Sequence, residues 1–267
     1  MKRISKKFTE LKSQKKSALV AYICAGHPDY ETSLNTLKSL PAAGCDIIEL
    51  GVPFLDPAGD GPTIQQAARA AIEAGMNLQK TIPMVAEFRK TNSETPLILM
   101  TYYNPLLKFG VDKIFTAAAN AGVDGFLIVD LPPEEEQEIL TETSRNQLDL
   151  IRLIAPTTSF DRAKKITKNA GGFVYLISML GITGTTQAKA ADNVENLKNL
   201  RAACDLPIVI GFGIQNPTQA QEFSKLGADG VVIGSAIVKE MAEKKSSAEI
   251  TATVVKKISE FSQKIKS

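Results

Sequence analysis

Eight short apolar or β-branched runs recur along the chain, each followed by residues at helical spacing, and this alternation limits the folds open to it. The runs are Ala18 to Cys24, Asp46 to Leu50, Pro96 to Tyr102, Gly125 to Val129, Leu148 to Ile154, Gly172 to Ile177, Pro207 to Gly211 and Gly230 to Ile233. Helical stretches separate them, as at Leu34 and Leu37 after the first, Ile114 to Ala118 after the third and Thr218 to Leu226 after the seventh. Several return through a glycine turn, in AAGCD, NAGVDG, NAGGF and KLGADG. There a left-handed residue ends the helix and drops the chain into the next strand. Eight βα units in about 250 residues fit a closed (β/α)8 TIM barrel, whereas a doubly wound sheet more often stops at five or six strands. The predicted fold is α/β, one TIM-barrel domain over residues 1–267, with no linker or low-complexity tract.

Two additions to the plain barrel are expected. The second unit carries helical pieces near Thr63 to Ala74 and Leu78 to Lys90, which predicts an inserted helix after strand two. Ile4, Phe8 and Leu11 predict an extra N-terminal helix covering the barrel's bottom, and Ile250, Val254, Ile258, Phe261 and Ile265 the last outer helix. Pro41 should stop or kink the first outer helix.

The 31 basic and 29 acidic residues leave +2, too little for a nucleic-acid footprint, and the Lys-rich runs 2–16 and 239–245 read as solvated helix faces. Cys24, Cys45 and Cys204 lie in or beside apolar segments, as buried free thiols in a reducing compartment do. No run reaches the ~18 apolar residues of a membrane span, and MKRISKKFTEL lacks a secretory apolar core, so a soluble, cytoplasmic protein is expected. With His27 the single histidine, a His-rich metal cage is excluded, and no GxSxG accompanies it for serine hydrolysis.

Chemistry concentrates in IIELGVPFLDPAGDGP, residues 47–62. Glu49 has apolar neighbours near the end of a buried strand, where a carboxylate is costly unless paired, protonated or used. Proline and glycine then shape a loop that brings Asp60 to the same mouth. The alternative is that Glu49 pairs with a buried Arg or Lys and Asp60 caps the helix starting near Pro62; spacing alone leaves both open. Placement at strand C-terminal ends, the active face of this barrel, favours the functional reading. Glycine-bearing loops follow strands six, seven and eight, at Gly181 to Gly184, Gly211 to Ile214 and Gly234 to Ala236. Amide N–H groups in such loops seat phosphate, and the absence of GxGxxG and of GK[ST] assigns that phosphate to the substrate.

Taken in order, ELGVPFLDPAGDGPTIQ (Glu49 to Gln65), MTYYNP (Met100 to Pro105), DLPPEE (Asp130 to Glu135), APTT (Ala155 to Thr158), GITG (Gly181 to Gly184), GFGI (Gly211 to Ile214) and GSAIV (Gly234 to Val238) resemble the tryptophan synthase α-subunit family over essentially the whole chain. The resemblance implies retro-aldol cleavage of indole-3-glycerol phosphate to indole and glyceraldehyde 3-phosphate. It implies Glu49 as general acid/base and Asp60 as acceptor of the indole N–H. It implies phosphate binding at Gly184, Gly213, Gly234 and Ser235, a pocket role for Tyr175, and a Thr183 bond to Asp60 on loop closure. Tyr22, Tyr102, Leu127 and Phe212 are candidates for the indole slot or for barrel-mouth packing. An apolar setting should raise the pKa of Glu49, while solvation or a hydroxyl partner keeps Asp60 ionised.

The resemblance further implies no cofactor in this chain, a pyridoxal-phosphate β subunit as partner in an α2β2 complex, and contacts from Pro53 to Asp60 and near Pro132. Leu55, Gly59 and Met179 depart from the family's usual serine, alanine and arginine. Competing readings are a silent barrel that only activates its partner, and another sugar-phosphate isomerase or aldolase. The latter is disfavoured because no lysine ends a strand for a Schiff base and no histidine set holds a metal.

Overall fold

Each of the eight runs forms a strand in the computed structural model, which describes residues 1–178, 189–242 and 246–267. The strands are β1 (Ala18–Cys24), β2 (Ile47–Gly51), β3 (Leu97–Thr101), β4 (Gly125–Ile128), β5 (Asp149–Ile154), β6 (Val174–Ile177), β7 (Ile208–Gly211) and β8 (Gly230–Ile233). They pair in parallel in chain order, and β8 closes on β1. The result is a (β/α)8 TIM barrel. Pro96 and Pro207 stay just outside β3 and β7, since proline has no N–H for the ladder. Gly172, at φ +71, likewise delays β6 to Val174.

The helices are α1 (Arg3–Ser13), α2 (Tyr30–Ser39), α3 (Pro62–Glu73), α4 (Leu78–Arg89), α5 (Tyr103–Phe109), α6 (Val111–Ala121), α7 (Gln137–Arg145), α8 (Phe160–Thr167), α9 (Val194–Ala203), α10 (Pro217–Lys225), α11 (Ser235–Met241) and α12 (Ser247–Lys266). Both helices predicted after β2 are present, and α2 stops at Ser39, ahead of Pro41. The short α5 has no counterpart among the predicted elements; its Pro105 lies in the first turn, where proline is tolerated.

Alternation along the strands divides the core into two layers. Val20, Ile47, Ile98, Leu127, Ile151, Phe173, Val209 and Val232 fill the barrel's interior, while Leu19, Ile48, Leu50, Leu97, Leu99 and Phe126 face the helices. Ile4, Phe8 and Leu11 of α1 join the inner layer, with Phe8 and Phe173 ring centroids 5.8 Å apart. The leading helix is therefore a plug at the bottom. Ion pairs hold it there, from Lys2 to Asp149 (2.7 Å) and from Arg3 to Asp124 (2.9 Å).

One device repeats at this end. The backbone N–H groups of Leu19, Ile208 and Leu97 donate to Asp46 (2.8 Å), Asp229 (2.7 Å) and Asp124 (2.8 Å), each aspartate preceding the next strand. Each carboxylate also meets a cation, Lys266, Arg201 or Arg89 respectively. These ties lie at the strands' N-terminal ends, leaving the other ends for the loops that carry the candidate site.

Candidate active site

Glu49 follows Ile47 on the inward face of β2, and its register partners are Tyr22 on β1 and Ile98 on β3. It is 1 % exposed, and its Oε2 has no hydrogen-bond partner among the described residues. No Lys or Arg among those residues forms an ion pair with it, so the structural alternative for Glu49 does not hold. Burial first, and the charge of Asp60 second, push its pKa up to about 8.

Asp60 is reached through a turn in which its N–H donates to the Pro57 carbonyl (2.9 Å). Its side chain does not cap α3, whose N-cap is Gly61. Instead the Tyr102 hydroxyl donates to Asp60 Oδ2 (3.1 Å) and accepts from the Gly59 N–H (3.0 Å), and Gln65 donates to the Asp60 carbonyl (2.8 Å). Asp60 is buried rather than solvated, which raises its pKa to about 6 against the lowering pull of the Tyr102 hydroxyl. The expected hydroxyl partner exists, supplied from the end of β3.

Both carboxylates line one cavity at the top of the barrel, open on one side to solvent. Tyr22, Tyr175, Phe212, Gly213, Gly234 and Ser235 line it too, so these candidates are brought together. The tyrosines fit because their neighbours are glycines. A Cβ on Gly51 would lie 2.2 Å from the Tyr22 hydroxyl, and one on Gly211 2.0 Å from that of Tyr175.

Two candidates stand elsewhere. Tyr102 holds Asp60 without lining the cavity, and Leu127 is fully buried in the barrel's interior layer. Met100, the register partner of Leu127 on β3, forms the wall instead. Thr183 and Gly184 lie outside the described residues, as do Met179 and the rest of the loop Gly181 to Gly184. Gly59, in place of the alanine usual in the resemblance, stands where a Cβ would come within 3.0 Å of Val129 and 3.3 Å of the Tyr102 hydroxyl.

Sequence reasoning missed Ile64, Met100, Ile214, Gln215 and Val232 on the wall. Only the period-two alternation that places Met100 and Val232 inward was available to find them. It also missed how the turn after β7 is held. Phe212 and Gly213 both adopt positive φ, +75° and +72°, a costly conformation for an aromatic residue. Ser178 Oγ reaches the carbonyls of Gly211 (2.7 Å) and Phe212, and Gln219 donates to the Gly213 carbonyl (3.0 Å). Buried Asn193 donates to the carbonyls of Ser178 and Lys189 (2.9 and 3.0 Å). His27 is buried away from the cavity. Among the described residues no cluster of His, Cys, Asp or Glu is placed to hold a metal ion. Among them too, no helix is long and apolar enough to cross a membrane.

Two buried carboxylates in one cavity beside the glycine turns after β7 and β8 mark the top of a TIM-barrel enzyme. The family model for the tryptophan synthase alpha chain matches residues 8–267. The chain belongs to that family, and it is a lyase acting on indole-3-glycerol phosphate, the α reaction of tryptophan biosynthesis. Tryptophan synthase subunit alpha from Legionella pneumophila str. Paris is 35 % identical, with TM-score 0.91 and 99 % of this chain and 98 % of that one covered. A chain from Aquifex aeolicus VF5 is 37 % identical, with TM-score 0.90 and 99 % of both covered. A chain of Mycobacterium tuberculosis tryptophan synthase is 32 % identical, with TM-score 0.89 and coverage of 100 % and 99 %.

Proposed function

We propose that Glu49 and Asp60 divide the proton work of the α reaction, the retro-aldol cleavage of indole-3-glycerol phosphate to indole and glyceraldehyde 3-phosphate. The observation that carries this is their shared cavity with pKa values pushed to about 8 and about 6, so that at neutral pH one is an acid and the other an anion. Protonated Glu49 donates to the ring carbon bearing the glycerol chain. Asp60 accepts from the indole N–H and stabilises the cation so formed. The Glu49 carboxylate then takes the proton of the adjacent hydroxyl, the C–C bond electrons return to the ring, and the acid is regenerated.

Tyr22, Tyr175, Phe212 and Met100 sandwich the indole. Amides of Gly213, Gly234 and Ser235, with Gly184, bind the phosphate, while Thr183 bonds Asp60 on closure and excludes water. The chain works as one barrel domain in the cytoplasm. It uses no cofactor of its own; pyridoxal phosphate serves a β subunit that consumes the indole within an α2β2 assembly. Leu55, 67 % exposed between Pro53 and Asp60, supports a partner surface there.

The test is indole release from indole-3-glycerol phosphate by the wild-type chain and by Glu49→Gln, each with and without β subunit. Glu49→Gln should lose cleavage while still binding substrate. Turnover retained by that variant rejects the assigned donor.

A further inference from the structure

The hydroxyl that holds Asp60 belongs to a residue whose neighbour is gripped from the molecule's surface. Tyr102 and Tyr103 are consecutive where β3 turns into α5. Tyr102 holds the Gly59-Asp60 corner, whereas the Tyr103 N–H donates to Asp130 Oδ1 (2.7 Å) and its hydroxyl donates to Glu138 in α7 (3.0 Å). One peptide unit therefore separates the catalytic carboxylate's partner from the segment 130–138.

That segment has a firm base. Buried Arg152 of β5 donates to the Leu131 carbonyl (3.2 Å) and ion-pairs with buried Glu136, which accepts from Asn169 (2.7 Å). Its outer side, with Asp130, Glu134, Glu135 and Glu138, is exposed, and Tyr103 is half-buried. A polar path thus leads from a surface rim to the reacting anion.

We propose that Tyr103 is a positioning residue through which the 130–138 segment sets the placement of the Asp60 carboxylate. This rests on the acid–base reading of Asp60 given above. Among the described residues, the groups facing Asp60 are Glu49 of β2, Tyr22 and Cys24 of β1, Tyr102, and Tyr175 of β6; those facing Tyr103 are Asp130, Glu135 and Glu138. If Tyr103 shifts, the Tyr102 hydroxyl withdraws, and Asp60 loses a bond that opposes its protonation.

The test compares Asp130→Ala, which removes the acceptor, with Asp130→Asn, which keeps an oxygen for the Tyr103 N–H and controls for charge. Two readouts on the whole chain are the ¹³C-carboxyl NMR titration of Asp60, which needs no turnover, and steady-state indole release. Asp130→Ala should raise the Asp60 midpoint by about half a pH unit and lower kcat roughly three- to tenfold, with KM within about twofold. Asp130→Asn should match wild type. In a Tyr102→Phe background Asp130→Ala should add nothing, because the route is already cut. An unshifted titration in Asp130→Ala, or effects that multiply in the double variant, overturns the proposal. A shifted titration in a chain that releases no indole upholds the coupling and rejects only the reaction.

Discussion

With its carboxyl buried and its pKa at about 8, Glu49 stays protonated at neutral pH, and Asp60, at about 6, is mostly ionised. The kcat/KM profile should therefore be bell-shaped, falling below about pH 6 as Asp60 protonates and above about pH 8 as Glu49 ionises. A profile flat across both limbs would contradict the assignment. The same group weakens the fold. Its contribution to stability is full below its ordinary value of 4.5 and is lost as pH rises to about 8, because the unfolded chain ionises Glu49 freely over that interval. Glu49→Gln should then be more stable than wild type at pH 8, by roughly 2–4 kcal/mol in urea denaturation, with the difference vanishing toward pH 4.5. An inactive variant that gains stability is the mark of a side chain kept for its chemistry.

Where β7 ends, one missing methyl group shapes the pocket. Gly211→Ala would put a Cβ 2.0 Å from the Tyr175 hydroxyl, so the ring must leave its place against Phe212. Indole release should fall roughly 100-fold while circular dichroism shows a folded barrel. At the opposite ends of the strands, Asp124→Ala strips a partner from Arg3, Arg89 and the Leu97 N–H together, and should cost about 2–4 kcal/mol in urea denaturation with little change in KM. The elements themselves were legible because burial on both strand faces leaves unbroken apolar runs, as in Ala18 to Cys24 and Gly230 to Ile233. Helix α5 was not, since Asn104-Pro105 has the same appearance in a turn and in a first helical turn. Ser178, supporting Phe212 from 34 residues away, has no local signature at all.

Closure of the barrel by β8 on β1 separates a bottom, plugged by α1 and tied by aspartates, from a top on which Glu49 and Asp60 share a cavity. Leu55 stands out from that top, and Leu55→Asp should weaken β-subunit association in sedimentation while leaving indole release by the isolated chain within about twofold. Equal affinity in that variant would move the partner surface elsewhere. The sequence alone determined the eight-fold alternation and both extra helices, and it marked Glu49, Asp60 and the glycine loops, because periodicity and motif spacing are local properties of the chain. It also supplied Tyr102 and Leu127 as interchangeable wall candidates. Only the tertiary structure separated them, by register and by loop packing across 42 residues: Leu127 went into the interior layer and Met100 took the wall, while Tyr102 turned its hydroxyl onto Asp60. The two carboxylates' pKa values were decided in the same way, since burial and neighbouring charge exist only once the barrel has closed.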